Sequence, residues 1–208
     1  GCDKTDVRTG QSAKAGVRRL CSGLGWTLTV DLFASKENAM APRFCAWRHA
    51  GAEECVDAFS RPAWGYVDCQ CGSRHSEVVY VFPPDPLLLP VWTRLRRDGA
   101  RGIALSPHWV SAAWWSILKA GAVSDLLRIP GRDMQIGDVG KVASSLRNIY
   151  DARSYVLVAF DFSQTHVPCA TPCAQVGPVK RSALEEQSAE ARSRLLTQLS
   201  EAVKDTVR

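Results

Sequence analysis

The sequence has no apolar run close to the length of about 20 residues that a membrane-spanning helix needs. Its first residues do not form a signal-peptide pattern either. We therefore expect a soluble, intracellular protein with no membrane partner, in which disulfide bonds are disfavoured. A Ser-His-Asp order, a Walker-type phosphate loop and a closely spaced set of carboxylates are also missing, so the hydrolase, kinase and nuclease classes have little support.

The residues that are present suit a globular protein. The chain has 208 residues, of which 46% are hydrophobic and 23% are charged, and this length predicts one domain or one domain with an appendage. The net charge of +5 is spread thinly along the chain. A dense basic group comprises Arg94, Arg96, Arg97 and Arg101. Such a group binds phosphates if its side chains converge in space, and otherwise forms a solvated helix face.

Helical and strand-like segments alternate along the first three quarters of the chain. Strands are predicted over residues 27–33, 78–82, 102–106, 126–129 and 154–162. Helices are predicted over residues 12–22, 90–97 and 140–150, and after an N-cap at Ser111. This succession predicts an α/β domain over residues 1–163, with helices on both faces of a Rossmann-like sheet.

The end of the chain differs from this pattern. Residues 164–180 are rich in Pro, Cys and Thr and predict a linker. Ser182 and Glu185 then form a capping box that opens an amphipathic helix over residues 181–208. The apolar stripe of this helix packs on the protein's own core in one interpretation. In the other, it mediates oligomerisation or binds a partner protein.

Several short motifs, taken together and in order, resemble a known module. They are Val30-Asp31-Leu32-Phe33-Ala34-Ser35, Asn38-Ala39, Pro42-Arg43-Phe44, Val56-Asp57-Ala58-Phe59-Ser60, Phe82-Pro83-Pro84 and Ala104-Leu105-Ser106-Pro107-His108-Trp109. They resemble the segment that follows the RNase H domain in the polyproteins of DIRS-type (tyrosine-recombinase) retroelements, which is itself similar to Dam-type adenine methyltransferases. The resemblance covers residues 26 to 130 and implies a methyltransferase-type sheet.

The resemblance also places a catalytic motif at Phe82, Pro83, Pro84 and Asp85. Methyltransferases of this type have Asn or Asp at the first position, which accepts the target amine, and an aromatic residue at the last position, which stacks on the base. Phe82 cannot accept an amine proton, and Asp85 has no π-face. The motif is therefore degenerate, and we expect no methyl transfer.

The resemblance implies that a methyl donor would lie beside Asp31, Phe33 and Asn38. No Gly-x-Gly turn follows this strand, so a close approach of backbone to cofactor is not provided. The alternative is that Asp31 and Asn38 cap local turns. The prediction is against binding of S-adenosylmethionine.

A second hypothesis rests on cysteine and histidine residues in the middle of the chain. Candidate ligands for a structural zinc are Cys45, His49, Cys69, Cys71 and His75, and Cys55 lies among them. The spacings Cys45-x3-His49 and Cys69-x-Cys71-x3-His75 allow two ligand pairs to converge and pin the insert at residues 66–76. The alternative is free, buried thiols.

Two further features bear on binding. His108 lies at the expected carboxyl end of a strand and is either a pocket residue or a packed side chain. The chain has seven tryptophans, and one or two of them near strand ends could stack on an unpaired base.

These observations lead to one function and two alternatives. The expected function is a non-catalytic, methyltransferase-like binding or scaffold module in the nucleus, with nucleic acid or a nucleic-acid-bound complex as its partner. The first alternative is an active adenine methyltransferase on DNA or RNA. The second is a protein-interaction domain that assembles through residues 181–208.

Overall fold

The computed structural model describes residues 7–46, 53–69, 72–136 and 152–163. All of them belong to the first of the two units into which the chain divides, residues 1–172. The elements are β1 (Val7–Arg8), α1 (Gln11–Leu24), β2 (Val30–Asp31), β3 (Arg43–Ala46), β4 (Cys55–Val56), β5 (Tyr66–Asp68), β6 (Arg74–Ser76), β7 (Val78–Val81), α2 (Leu88–Arg97), β8 (Arg101–Pro107), α3 (Trp115–Gly121), β9 (Leu127–Pro130), β10 (Gln135–Ile136) and β11 (Ser154–Asp161).

Seven of these strands form one sheet in the order β4-β3-β2-β7-β8-β11-β9. Pairing is parallel from β4 through β8. The long strand β11 is antiparallel to both β8 and β9. Within this sheet, six strands therefore run in one direction and β11 runs in the other. The α/β class expected from the sequence is confirmed as a mostly parallel sheet with helices.

The helices lie on both faces of the sheet. Successive side chains of a strand point to opposite faces. Val79 of β7 belongs to the apolar cluster that contains side chains of α2 and α3, whereas its neighbour Tyr80 belongs to the cluster with α1. The strands β8 and β11 alternate in the same way, so the sheet is buried on two sides and its strands are nearly continuous apolar runs.

The two central strands approach each other closely at Gly102. It pairs with Val79 across β7 and β8. A Cβ atom at residue 102 would lie 1.9 Å from the carbonyl oxygen of Val79. Any side chain at this position would force the strands apart, so the centre of the sheet requires glycine.

The structure confirms most of the predicted elements. Within two residues at each end, α1, α2, β7, β8, β9 and β11 lie where the sequence places them. Gly25 ends α1 with φ of +63°, the left-handed conformation that favours glycine at a helix C-terminus. The predicted helix at residues 140–150, the linker and the helix at residues 181–208 lie outside the described residues.

Two predicted boundaries are wrong. The strand expected over residues 27–33 has only Val30 and Asp31. It ends at Asp31 because that side chain accepts the N–H of Phe33 and turns the chain. Ser111 does not cap α3, which begins at Trp115. Instead, the backbone N–H of Ala112 donates to the carbonyl oxygen of Trp109, and that of Trp115 donates to the carbonyl oxygen of Ala112. These hydrogen bonds form turns where the helix was expected to begin.

In the insert at residues 66–76, β5 and β6 pair as an antiparallel hairpin. Tyr66 pairs with Ser76, and Asp68 pairs with Arg74. Arg74 also lies 3.8 Å from the centre of the Tyr66 ring and bonds to Asp68 at 3.1 Å. Among the described helices, none has the length and apolar content to cross a bilayer.

Candidate functional site at the carboxyl edge of the sheet

Parallel strands bring their carboxyl ends to one edge of the sheet, where α/β proteins bind ligands. Here β2, β7 and β8 are neighbours, and the segments that follow them are residues 32–42, 82–87 and 108–114. The antiparallel strand β11 begins at the same edge, because Tyr155 pairs with Pro107. Residues from four distant parts of the sequence therefore meet there.

Asp31 is the last residue of β2 and is 2% exposed. Its Oδ1 accepts the backbone N–H of Phe33 at 3.2 Å, and its Oδ2 accepts that of Met40 at 3.0 Å. Burial raises the pKa of Asp31 to about 7, although the two N–H donors act to lower it. The carboxyl group thus ties both ends of the following loop to the sheet.

Tyr80 pairs with Asp31 across β2 and β7. Its hydroxyl group shares a buried hydrogen bond of 2.9 Å with Thr9. Burial raises the pKa of Tyr80, and the negative charge of Asp31 raises it further. The phenol therefore stays neutral beside Asp31.

Asn38 and Phe33 also contact their own chain. The Oδ1 of Asn38 accepts the backbone N–H of Ser35 at 2.6 Å and closes a turn. The Phe33 ring packs edge-on against Phe59 and Trp64, with centroid distances of 6.3 and 6.0 Å. The turn-capping interactions expected as the alternative are present, and cofactor binding by these residues stays a prediction.

Phe82 follows β7 and is partly buried. Its ring packs edge-on against Tyr155 of β11, with centroids 6.1 Å apart. Pro83 is buried, Pro84 is exposed, and Asp85 begins a short 3-10 turn. The first position of the motif therefore presents an aromatic ring that is already packed on the sheet.

Asp85 and Trp109 are linked through Arg153, which immediately precedes β11. Arg153 Nη1 donates to Asp85 Oδ2 at 2.9 Å. The same guanidinium lies 5.8 Å from the centre of the Trp109 ring. Trp109 is 38% exposed and its neighbour Val110 is 60% exposed. We call Asp85, Trp109 and Arg153 the Trp109 surface.

His108 is placed differently from the Trp109 surface beside it. Its backbone N–H donates to the carbonyl oxygen of Ser154 at 2.8 Å. Its ring packs edge-on against Trp115, with centroids 5.3 Å apart. These contacts match the packed side chain that was the alternative to a pocket residue.

The four arginines predicted to bind phosphate lie where α2 ends and β8 begins, at the amino edge of the sheet. Arg94 is turned inward, with a side chain only 10% exposed. It donates to the carbonyl oxygens of Phe59 and Arg61 and pairs with Asp98. Its guanidinium lies 4.6 Å from the centre of the Trp64 ring. Arg94 therefore holds the loop before β5 against α2.

The other three arginines are more open. Arg96 is exposed, and Arg97, with a side chain 68% exposed, bonds to Asp98 at 2.9 Å. Arg101 is partly buried, and its guanidinium lies 5.9 Å from the centre of the Trp26 ring. The basic group is thus divided, and Arg96 and Arg97 are its solvent-facing part.

A buried ion network lies at the amino ends of β3, β4 and β7. Glu77 is 2% exposed, and its two oxygens accept hydrogen bonds from Arg43 at 2.6 Å and from Arg61 at 2.9 Å. Glu54 bonds to Arg43 through both oxygens and lies 3.1 Å from Arg61 Nη1. Two carboxylates therefore neutralise two guanidinium groups, of which that of Arg61 is 5% exposed.

Cys45 and Cys55 are direct neighbours in this region. They pair across β3 and β4, and their sulfur atoms are 2.8 Å apart. The contact between the sulfurs lowers the pKa of Cys55 and raises the pKa of Cys45. Burial also raises the pKa of Cys45, whereas the positive charge of Arg61 favours the thiolate of either residue.

Three of the five predicted zinc ligands lie within the described residues. Cys69 and His75 lie on the β5–β6 hairpin and Cys45 lies in β3, whereas His49 and Cys71 are outside the described residues. Within the described ranges, no three Cys, His, Asp or Glu side chains form a group suited to a metal ion. Structural zinc stays a prediction.

Sequence reasoning missed Arg153 and the pairing of Cys45 with Cys55. Arg153 lies 68 residues from Asp85 in the chain, and no local pattern connects them. The two cysteines are ten residues apart, a spacing that signals proximity only when both strands are known.

Comparisons of the chain with family models, with curated proteins and with solved structures found no match.

Proposed function

We propose that this chain is a degenerate, methyltransferase-like module that binds nucleic acid, or a nucleic-acid-bound complex, without catalysing methyl transfer. Such a partner would place it in the nucleus. The observation that carries the proposal is the carboxyl edge itself, where Phe82 and Asp85 occupy the motif positions and an exposed tryptophan lies beside them.

The strand order supports a methyltransferase-type sheet. Numbered along the chain within the sheet alone, the seven strands lie in the order 3-2-1-4-5-7-6. The first five follow the Rossmann order, and the order reverses between β2 and β7. The strand β11 lies antiparallel between β8 and β9 and extends this sheet beyond the Rossmann order.

The chemistry of the motif argues against catalysis. A target amine needs an acceptor at residue 82, and the phenylalanine ring there offers none. A target base needs a stacking partner at residue 85, and the Asp85 carboxylate there is paired with Arg153 instead. Asp31, which the resemblance places beside a methyl donor, already accepts the backbone N–H groups of Phe33 and Met40.

The Trp109 surface is the part of this edge that suits nucleic acid. Its ring is exposed enough to stack on an unpaired base, and the Arg153 guanidinium next to it adds a positive charge for the backbone. Asp85 partly neutralises that charge. Stacking should therefore contribute more to the affinity than phosphate contacts at this edge, and single strands should bind better than duplexes.

Replacing Trp109 with alanine should weaken the binding of a single-stranded oligonucleotide by about 5- to 150-fold, because one base–aromatic stack contributes about 1–3 kcal/mol. Fluorescence anisotropy with labelled single-stranded DNA and RNA at several salt concentrations measures this. Val110→Ala is the matched control, since it removes an exposed apolar side chain from the same loop without removing a ring, and it should bind as the wild type does.

A double substitution of Arg96 and Arg97 by alanine locates the binding face. If it abolishes binding while Trp109→Ala has no effect, the amino edge is the nucleic-acid surface and the Trp109 surface is not. If neither variant nor the wild type responds to nucleic acid at low salt, the binding function itself is wrong.

One observation favours the alternative of a retained cofactor site. Within the described residues, the hydroxyl oxygens of Ser35 and Ser106 are buried without a hydrogen-bond partner, and both lie near the carboxyl edge. Buried orphan hydroxyls are uncommon and can mark a place where a polar ligand binds. A working enzyme would therefore place its methyl donor near them.

Calorimetric titration with S-adenosylmethionine separates the two functions. We expect no heat of binding at micromolar protein and no methyl transfer to adenine in DNA or RNA. Phe82→Asn, which restores an acceptor at the motif, should also leave the protein inactive. Micromolar binding together with methyl transfer by the wild type would overturn the non-catalytic assignment.

A further inference from the structure

Cys45 and Cys55 have a geometry that suits a reversible covalent bond. They are register partners on the neighbouring parallel strands β3 and β4. Neighbouring strands lie about 4.8 Å apart, and a disulfide bond requires Cα atoms about 4.4–6.8 Å apart. With the sulfur atoms already 2.8 Å apart, the bond could form without moving either strand.

The surroundings of the two sulfurs differ. Cys45 is 1% exposed and lies in the core cluster, whereas Cys55 is only partly buried. Cys55 is therefore the sulfur that a reagent from solution reaches first, and Cys45 is the sulfur that can resolve the product.

We propose that Cys45 and Cys55 form a thiol–disulfide redox pair, with a low-molecular-weight disulfide such as oxidised glutathione as its oxidant. The Cys55 thiolate attacks one sulfur of the oxidant, whose S–S bond breaks and releases the first glutathione thiolate. Cys45 then loses its proton and attacks the Cys55 sulfur of the mixed disulfide, releasing the second glutathione thiolate. Two protein thiols are oxidised, one oxidant is reduced to two glutathione molecules, and the two protons end on them.

The bond would act on the edge of the sheet. Strand β4 is the last strand on its side and has only two residues, so few backbone bonds hold it. Glu54, which immediately precedes Cys55, bonds to Arg43 and pairs with Arg61. A covalent link to β3 would therefore hold both the edge strand and one carboxylate of the ion network in place.

The test is thiol mapping of the full chain after equilibration with oxidised and reduced glutathione. Iodoacetamide, added after unfolding so that it reaches the buried Cys45, traps the remaining thiols, and mass spectrometry maps the tryptic peptides. Trypsin separates Cys45, in residues 44–48, from Cys55, in residues 49–74, and fragment ions distinguish Cys55 from Cys69 and Cys71 in the second peptide. We expect Cys45 and Cys55 to lose alkylation together and to appear as one cross-linked species.

The variants follow from the proposed order of attack. In Cys45→Ser, glutathione should remain on Cys55, because the resolving thiol is missing. In Cys55→Ser, Cys45 should stay unmodified, because it is buried. Cys21, which is partly buried on the far helix α1, serves as an internal control whose labelling should not change in either variant.

A thermal melt gives a second readout that needs no variant. Closing a loop of this size should raise the Tm of the oxidised wild type by about 5–15 °C over the reduced form. Stable glutathione on Cys55 with Cys45 still open to alkylation after unfolding would overturn the proposal. A bond from Cys45 to Cys69 or Cys71 instead of to Cys55 would overturn it too.

Discussion

Replacing Glu77 with glutamine is expected to lower the free energy of unfolding by about 3–5 kcal/mol, the usual cost of breaking a buried ion pair. Glu77 accepts hydrogen bonds from Arg43 and Arg61 with separate oxygens. An amide has only one acceptor oxygen, so its NH2 group would face one guanidinium donor. Arg61 would also remain buried with Glu54 as its one remaining carboxylate partner among the described residues. Urea unfolding followed by tryptophan fluorescence measures the change.

Asp68→Asn is the matched control for this substitution. Asp68 pairs with Arg74 at 3.1 Å, but the two side chains are 71% and 52% exposed. Water screens such a pair, so its loss should cost less than about 1 kcal/mol. Equal losses for Glu77→Gln and Asp68→Asn would contradict the view that burial makes the network important.

Stability of the wild type relative to Asp31→Asn is expected to fall by about 4 kcal/mol between about pH 3 and pH 8. Burial raises the pKa of Asp31 from 3.8 to about 7 in the folded state. The folded protein therefore holds this proton more tightly than the unfolded chain does. The stabilisation is fully present below the unfolded pKa of 3.8, falls as the pH rises through about 7 and is absent above about pH 8. A rise from 3.8 to about 7 corresponds to about 4 kcal/mol.

Asp31→Asn should remove this dependence, because an amide does not titrate in this range. The variant leaves either Phe33 or Met40 without an acceptor, which costs about 1–3 kcal/mol at every pH and shifts its curve without tilting it. Asn38→Ala, which removes the cap of the neighbouring turn, should likewise run parallel to the wild type. Parallel curves for the wild type and Asp31→Asn would mean that Asp31 is ionised across the whole range.

Much of the fold could be predicted because it depends on local patterns. The apolar runs in β7, β8 and β11 are long enough to mark strands that are buried on both sides, and Gly25 marks the end of α1. The short strands β3 and β4 and the β5–β6 hairpin carry no such signal. They have two to four residues each, and the pairing partners that stabilise them come from elsewhere in the chain.

The candidate site divides in the same way. The sequence by itself showed that residues 82 and 85 lack the side chains of the methyltransferase motif that this segment resembles. Side-chain type alone decides whether a residue can accept a hydrogen bond from an amine or stack on a base. The sequence also placed Asp31 within a predicted buried strand, over residues 27–33. Those statements need no knowledge of distant contacts.

Only the tertiary structure decided which side chains meet. Arg153 reaches Asp85 and Trp109 because β11 runs antiparallel to β8 and begins at the carboxyl edge. Arg94 turns inward because carbonyl oxygens of Phe59 and Arg61 lie beside α2, while Arg97 extends to solvent. Cys45 meets Cys55 through the register of two parallel strands. The type of each side chain determines which interactions it can make. Strand order and register determine which other residue it meets, because they bring together parts of the chain that are distant in sequence.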